Sequence, residues 1–257
     1  MATIAITGSA GGIGRATTER LRADGHRVIG VDIRDADVIA DLSTEGGRRA
    51  MVREVDEQSG GALDGLVVGA GITGDDGAAV VSINYFGAIA TLVGLRPLLE
   101  HGTSPSAVVI SSNSTTTQPG LPVEIAEWCL ANDEANARAT AGPDGIGAYG
   151  ASKLALALWV RRQATQANWI GAGIRLNAIS PGFIDTPLTE GQFDFISSLG
   201  KIYPMPTGRA GTAEEVAGLL TYLLSPHAGF FVGSVIVMDG GTEAALRPND
   251  WPRPIGL

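Results

Sequence analysis

The chain has 257 residues, a formal net charge of −9 and 44% hydrophobic residues. This length predicts a single domain, residues 1–257, with a substantial core. The acidic charge argues against nucleic acid or an anionic membrane as a partner, because both recruit clusters of lysine and arginine.

The first residues, Met1–Ile6, run directly into a strand-like pattern. They lack the charged and long apolar segments of a secretory signal, and no apolar run elsewhere is expected to reach the length of a membrane span. We therefore expect a cytoplasmic protein. The single cysteine, Cys129, cannot form an internal disulfide, and the three histidines are too far apart for a zinc site. No metal site is expected.

Strand-like runs alternate with helix-length segments, and several of these runs are almost entirely apolar. Such alternation is typical of an α/β fold of the Rossmann type, in which helices cover both faces of a doubly wound parallel sheet. The predicted strands are Thr3–Thr7, His26–Val31, Leu66–Gly69, Ala107–Ser111, Arg175–Ser180 and Ser234–Met238. A tail rich in proline and glycine, residues 247–257, is expected to be flexible.

A glycine-rich turn, residues 7–14, follows the first predicted strand and leads into a helix-like segment. Glycines at such a junction bring backbone N–H groups close to a pyrophosphate, and the helix N-terminus supplies partial positive charge. The second predicted strand ends near Asp32. A carboxylate there binds the adenosine ribose and repels a 2′-phosphate, which predicts NAD rather than NADP. Arg15 and Arg34 argue the other way, since a nearby arginine can accommodate that phosphate.

Tyr149 and Lys153 are four positions apart in a predicted helix and therefore share one face. An ammonium group beside a phenol favours the phenolate and lowers its pKa, which suits acid–base chemistry coupled to hydride transfer. Lysine is rare in this chain and occurs only at Lys153 and Lys201, so its use here indicates a specific role. Taken alone, the pair also fits a chance pairing on an amphipathic helix.

Together these motifs resemble the short-chain dehydrogenase/reductase family in its compact form, along almost the whole chain. The stretch that reads Asn-Asn-Ala-Gly in the family reads Val-Gly-Ala-Gly at residues 68–71, and we expect this change to affect the bracing of the sheet more than the chemistry. The resemblance implies a nicotinamide cofactor bound by Thr7, Gly8, Gly12, Ile13, Gly14, Asp32, Asp41, Leu42, Gly69, Ala70, Gly71, Tyr149, Lys153, Pro181, Gly182, Ile184 and Thr186.

The residues that match the family's active site are Asn84, Ser112, Tyr149 and Lys153. By this resemblance the tyrosine is the acid–base group, and the lysine lowers its pKa and holds the nicotinamide ribose. The serine positions and polarises the substrate oxygen, and the asparagine anchors a water relay to solvent. Ser111 and Ser114 are rival serines. Ser112 is preferred because it lies just past a strand, at the crevice where ligands bind.

A substrate loop is predicted at residues 187–208, where the chain must cross the mouth of the crevice after the nicotinamide turn. Its apolar residues are expected to form a mobile lid that excludes water, and the alternative is an amphipathic helix packed on the core. The expected substrate contacts are Ser112, Tyr149, Phe183, Leu188 and Phe193.

An insertion, residues 118–147, separates Ser112 from Tyr149, which most compact members place much closer together. It carries a helix-like core at residues 123–130. This feature resembles the bacterial 3α-hydroxysteroid dehydrogenase/carbonyl reductase branch of the family, in which the insertion packs two subunits together. We therefore expect a homo-oligomer, with a dimer favoured, because the helix also carries more apolar surface than it could bury. The competing idea is that the insertion covers its own active site.

These features predict an NAD-dependent enzyme that interconverts a secondary alcohol and a ketone on an apolar substrate, with alicyclic and steroidal alcohols as candidates. One alternative is a nucleotide-sensing module without catalysis, since fold does not imply function. Such modules typically lose the tyrosine or the lysine, and both are present here. A second alternative is an epimerase or dehydratase with the same pair, which would need a larger substrate domain than the residues after Thr186 supply.

Overall fold

A parallel sheet organises the molecule. The computed structural model describes residues 1–250. Strands in this part of the chain are β1 (Thr3–Thr7), β2 (Arg27–Asp32), β3 (Val38–Ile39), β4 (Gly65–Val68), β5 (Ser106–Ile110), β6 (Arg175–Pro181), β7 (Ile184–Asp185), β8 (Gly211–Thr212) and β9 (Val235–Met238). All six predicted strands are present, each boundary within one residue of its prediction. β4 and β5 are buried along their whole length, as expected for strands covered on both faces.

The sheet reverses its order between β1 and β4. Its strands follow the order β3-β2-β1-β4-β5-β6-β9, and every neighbouring pair is parallel. The chain moves outward from β1 in one direction and resumes at β4 on the other side. In open α/β sheets such a switch point leaves a crevice at the carboxyl ends of the strands, and ligands bind there. The expected Rossmann-type fold is confirmed.

Helices cover both faces of this sheet. They are α1 (Gly12–Ala23), α2 (Glu45–Ser59), α3 (Gly77–Val81), α4 (Ala88–Leu99), α5 (Ser114–Thr117), α6 (Val123–Leu130), α7 (Glu134–Ala141), α8 (Gly145–Gln163), α9 (Phe193–Ser198), α10 (Ala213–Leu224) and α11 (Thr242–Leu246). α1 and α10 pack together on one face, and α2, α4 and α8 share a hydrophobic core on the other. A π-helical turn, Ser82–Gly87, joins α3 to α4.

Residues Gly77–Leu99 form one continuous helical segment through α3, the π-helical turn and α4. By length and composition alone this segment could cross a membrane, so the expectation that no apolar run reaches that length is wrong. Its most apolar window is 61% buried inside the fold, and Leu92 and Leu95 pack in the core. The apolar character of this helix is therefore accounted for by packing against the sheet.

The insertion packs closely against its own domain. α6 lies on α8, and α7 lies on α3 and α6. Ile125, Ala126 and Cys129 are buried in the main core, so the expectation of surplus apolar surface on α6 is wrong for Ala126 and Cys129. Val123 remains 52% exposed. Ala126 and Cys129, three positions apart, share the buried face of α6, whereas Val123 is the first residue of the helix and lies at its exposed end.

One predicted boundary shifts. The predicted insertion covers residues 118–147, but α8 already begins at Gly145, so the last three of these residues belong to α8. The predicted tail lies mainly outside the described residues. Within its described part, residues 247–250 form a turn in which Arg247 pairs with Glu243 at 3.3 Å and with Asp250 at 2.9 Å.

Candidate active site

A groove of about 540 Å³ crosses the carboxyl ends of the strands at the switch point. The glycine-rich turn and Asp32 line one end, and Ser112, Tyr149 and Lys153 line the other. All the residues expected to bind the cofactor line this groove except Thr7. The topology thus brings together residues that are far apart in the sequence.

Thr7 lies beneath the groove and is fully buried. Its Oγ1 accepts hydrogen bonds from the N–H groups of Gly69 at 3.1 Å and Ala70 at 3.2 Å. These bonds join the carboxyl end of β1 to the chain that leaves β4. Thr7 therefore braces the sheet next to the stretch from which the family's asparagines are missing.

The glycine-rich turn forms a cradle that larger residues would fill. Gly8 has φ +77°, and a Cβ on it would lie 2.8 Å from the Gly69 carbonyl group. A Cβ on Gly14 would lie 2.0 Å from the Gly8 oxygen. α1 starts at Gly12 and has no acidic residue in its first turn, so its partial positive charge is free to act on an anion. These features fit the pyrophosphate of a dinucleotide.

Asp32 stands at the end of β2 with its carboxylate held by backbone groups. Its Oδ2 accepts a hydrogen bond from the Ala10 N–H at 3.0 Å, and its Oδ1 accepts one from the Ile33 N–H at 2.7 Å. A carboxylate has about four acceptor positions, so both oxygens can still accept from ribose hydroxyls. Arg34 also lines the groove, whereas Arg15 does not.

Tyr149 and Lys153 project from one face of α8 into the other end of the groove. The Lys153 Nζ lies 5.7 Å from the centre of the Tyr149 ring and donates to the Ile110 carbonyl at 2.8 Å. Lys153 is 5% exposed, and burial lowers its pKa to about 8. Asp144 caps α8 by accepting from the Gly147 N–H at 2.9 Å, which fixes where this helix begins.

The pKa of Tyr149 is raised, in contrast to the expectation from the sequence. Burial raises the pKa of this phenol, and a hydrogen bond with Ser112 partly offsets that effect. The lysine was expected to lower the pKa. The Lys153 ammonium instead lies over the ring and donates a hydrogen bond to a carbonyl. The effect of burial on the pKa of Tyr149 therefore outweighs that of the ammonium.

Of the three candidate serines, Ser112 interacts with Tyr149. Its Oγ also accepts from the Ser114 N–H at 3.2 Å. The Ser111 hydroxyl is committed elsewhere, since it donates to the Lys153 carbonyl at 2.9 Å. The Ser114 hydroxyl is buried without a hydrogen-bond partner among residues 1–250 and does not line the groove.

Asn84 lies in the π-helical turn and is fully buried. Its Nδ2 donates to the Ile72 carbonyl at 2.9 Å, and its Oδ1 accepts from the Ile72 N–H at 2.8 Å. Asn84 does not line the groove. It is close to the lysine through Gly71, where an added Cβ would lie 3.2 Å from Asn84 Oδ1 and 3.5 Å from Lys153 Nζ. The water relay stays a prediction.

The predicted substrate contacts divide into two groups. Leu188 lines the groove together with Ser112 and Tyr149. Phe183 lines a second cavity of about 180 Å³, and its ring centre lies 6.3 Å from that of Phe193. No residue of α9 is buried, so this segment does not pack on the core as an ordinary amphipathic helix. Its action as a lid stays a prediction.

Several wall residues were not predicted. All but Ile83, which lies in the π-helical turn, stand at the end of a strand or in the segment that follows it, so strand ends are the signal that could have found them. They are Ala10, Gly11, Val31, Ile33, Ala40, Ile72, Ile83, Ile110, Pro187 and Thr189. Most are apolar, as in many sites that bind small molecules.

Two family models match the chain. One, described as short chain dehydrogenase, matches residues 2–123, and the other, described as Enoyl-(Acyl carrier protein) reductase, matches residues 135–243. The chain is 41% identical to a 3-alpha-hydroxysteroid dehydrogenase/carbonyl reductase of Comamonas testosteroni, over 98% of this chain and 100% of that protein. It is 31% identical to a cis-4-hydroxycyclohexanecarboxylate dehydrogenase of Sinomonas cyclohexanicum, over 93% and 95%.

Among solved structures, the chain is similar to a 3-alpha-hydroxysteroid dehydrogenase from Pseudomonas sp. B-0831 complexed with NADH. The identity is 43% and the TM-score is 0.87, over 96% of this chain and 99% of that one. At this identity and coverage the likeness extends through the fold and the insertion together.

Proposed function

The chain belongs to the short-chain dehydrogenase/reductase family, and we propose that it is an NAD-dependent enzyme that interconverts a secondary alcohol and a ketone on an apolar ring substrate. One observation carries this proposal: Ser112, Tyr149 and Lys153 meet at one end of a groove whose other end offers a glycine cradle and Asp32. That combination pairs acid–base groups with a dinucleotide site. It fits neither a structural protein nor a sensor without chemistry.

The residues present fit a nicotinamide dinucleotide. The glycine cradle would take the pyrophosphate, and Asp32 would accept hydrogen bonds from the adenosine ribose. Asp41 and Leu42 would flank the adenine, and the segment from Pro181 to Thr186 would hold the nicotinamide end. When bound, the cofactor accepts or returns a hydride. The NADH complex of the similar Pseudomonas enzyme supports this choice of cofactor.

Tyr149 would transfer the proton that accompanies the hydride. During ketone reduction its Oη gives a proton to the forming alkoxide, and during alcohol oxidation the phenolate takes one from the hydroxyl group. Because burial raises its pKa, the phenol is protonated at neutral pH and is ready to serve reduction. Oxidation needs the phenolate, so we expect its rate to rise with pH.

Ser112 and Lys153 would prepare this transfer. The Ser112 hydroxyl, which already interacts with Tyr149, would donate to the substrate oxygen and hold it at the phenol. An ammonium has three donors, and the Ile110 carbonyl occupies one of them. The remaining donors would bind the nicotinamide ribose. Asn84, adjacent to Lys153 through Gly71, would complete a water relay.

The substrate class rests on the walls of the groove and on the names of similar proteins. Leu188, Ile72 and Ile110 supply an apolar lining, which favours a hydrocarbon skeleton. Two of the similar proteins are dehydrogenases of a 3α-hydroxysteroid and of a hydroxycyclohexane carboxylate, both ring alcohols. We therefore infer an alicyclic or steroidal alcohol. Absorbance of NADH with a panel of cyclic ketones and alcohols tests this inference, and turnover of open-chain compounds alone would contradict it.

We further propose a cytoplasmic homodimer built from one domain per subunit. The insertion and the start of α8 support the dimer, since Val123 is 52% exposed and Ile146 is 74% exposed. The two helices that carry them meet at their N-terminal ends, where an added Cβ on Gly147 would lie 3.0 Å from Pro122. Exposed apolar side chains in one place favour a contact between subunits.

A further inference from the structure

A partly buried polar cluster of Asn113, Tyr203 and Asp239 lies directly behind Ser112. Asn113 follows Ser112 and is 3% exposed. Its Nδ2 donates to the Tyr203 hydroxyl at 3.0 Å and to the Asp239 Oδ2 at 3.1 Å, and the Tyr203 hydroxyl lies 3.2 Å from the Asn113 Oδ1. None of the three residues lines the large groove. They therefore do not contact the cofactor there.

Two members of this cluster, Asn113 and Asp239, are fixed at the edge of the sheet where its strands end. The Asn113 N–H donates to the Pro181 carbonyl at 2.9 Å, at the end of β6. Asp239 follows β9, and its carboxylate accepts from the Gly241 N–H at 2.9 Å and the Glu243 N–H at 2.8 Å. The cluster thus joins the carboxyl ends of three neighbouring strands, β5, β6 and β9, and provides a rigid support.

Tyr203 brings the end of the substrate loop to this support. Next to it, the Pro204 carbonyl accepts from the Thr242 Oγ1 at 2.7 Å. The start of the loop is also tied down, because the Thr189 Oγ1 donates to the Ile184 carbonyl at 2.5 Å. Between these ties the loop has no buried residue in α9, and Phe195 is 65% exposed. The loop is therefore held at both ends and exposed in the middle.

The electrostatics keep Tyr203 neutral beside the catalytic phenol. Burial raises the pKa of Tyr203, the hydrogen bond from Asn113 lowers it, and the negative charges of Asp239 and of an ionised Tyr149 raise it again. A neutral hydroxyl can keep bonding to the Asn113 amide while Tyr149 cycles between phenol and phenolate. The hydrogen bonds between Tyr203 and Asn113 can therefore persist when Tyr149 ionises.

We propose that Asn113, Tyr203 and Asp239 are positioning residues that latch the end of the substrate loop to the segment after β5 that carries Ser112, and that this latch sets substrate affinity without affecting cofactor affinity. The inference rests on the proposed function, since it gives the loop a substrate to hold. It assigns a role to Tyr203 and Asp239, which lie 90 and 126 positions away from Asn113 in the sequence. No short motif connects the three residues.

The variant Tyr203→Phe tests the latch, because it removes one hydroxyl and keeps the ring. We expect KM for the ketone to rise about fivefold to tenfold, as the loss of a buried hydrogen bond would cause, with kcat changed less than about twofold and NADH affinity unchanged. Tyr222→Phe is the matched control, since that tyrosine is 43% exposed and its hydroxyl lies 3.5 Å from the His227 carbonyl. An unchanged KM in Tyr203→Phe would overturn the proposal.

A second measurement separates the latch from the proposed function. Hydrogen exchange across residues 187–208 of the protein without ligands should be faster in Tyr203→Phe than in the wild type and unchanged in Tyr222→Phe. In Asn113→Ala combined with Tyr203→Phe, exchange and KM should match the single variants rather than add. Faster exchange in a protein that turns over no ring alcohol would preserve the latch and refute the function. Unchanged exchange would refute the latch.

Discussion

Lys153 carries an ammonium group inside the protein, where burial lowers its pKa to about 8. An ordinary lysine titrates above about pH 10, so the free protein loses this charge at an unusually low pH. Ribose hydroxyls bind the ammonium and stabilise it, so cofactor binding should raise the pKa and take up a proton. Affinity should then be constant below pH 8 and fall as the pH rises above it.

This pH dependence is measured by titrating NADH fluorescence on both sides of pH 8. In Lys153→Met the affinity should be lower and independent of pH, because no group remains to titrate there. Lys201→Met provides a control, since Lys201 is exposed and lies away from the groove. A wild-type affinity that stays level through pH 8 would contradict the proposed role of Lys153.

Asp32 should determine the choice between the two nicotinamide dinucleotides. Asp32→Ala removes the charge that repels a 2′-phosphate, so the preference for NADH over NADPH should fall by about tenfold or more. Arg34, which lines the same end of the groove, would then favour the phosphate. Asp24→Ala changes the net charge equally at an exposed position and should leave the ratio unchanged. Tighter binding of NADPH by the wild type would refute this assignment.

At the residue scale, short motifs predicted many of the residues that line the groove, because most of the motif residues follow the strands directly. They could not predict the raised pKa of Tyr149, since burial depends on how α8 packs against distant segments. Nor could they predict the cluster of Asn113, Tyr203 and Asp239. Its members come from three separate parts of the chain, and hydrogen bonds between them leave no local pattern.

At the scale of elements, the substrate loop should change its exposure when ligands bind. Leu188 already lines the groove, while Phe193 is 40% exposed and Phe195 is 65% exposed. Closure over an apolar substrate would bury these rings and exclude water from hydride transfer. Hydrogen exchange across residues 188–203 should slow when NADH and a ring ketone analogue bind together. Exchange that is the same with and without these ligands would contradict closure.

The main strands were predictable because buried parallel strands are continuous apolar runs, and β4 and β5 are clear examples. β3, β7 and β8 were missed because two residues carry no periodic pattern. α7 was missed for another reason. Its apolar residues are alanines, and a bidentate pair between Arg48 and Glu134, at 2.7 and 2.8 Å, helps to fix it to α2.

At the scale of the whole molecule, the dimer should depend on the insertion. Ile125 and Cys129 belong to the core, so deleting the insertion would uncover the core as well as the proposed interface. Val123→Glu combined with Ile146→Glu changes exposed positions and should give monomers in light scattering, because like charges would face each other across the interface. Phe230→Glu, at a fully exposed position outside the insertion, is the control. Dissociation by the control alone would place the interface elsewhere.

The central claim, that this groove performs proton-coupled hydride transfer through Tyr149, is tested most directly by Tyr149→Phe. Turnover of a ring alcohol or ketone, followed by NADH absorbance, should fall about a thousandfold, because the substitution removes the hydroxyl group that transfers the proton. NADH should still bind with wild-type affinity, and Tyr222→Phe should keep full activity, since that tyrosine lies outside the groove. A Tyr149→Phe protein with the kcat of the wild type would contradict the claim.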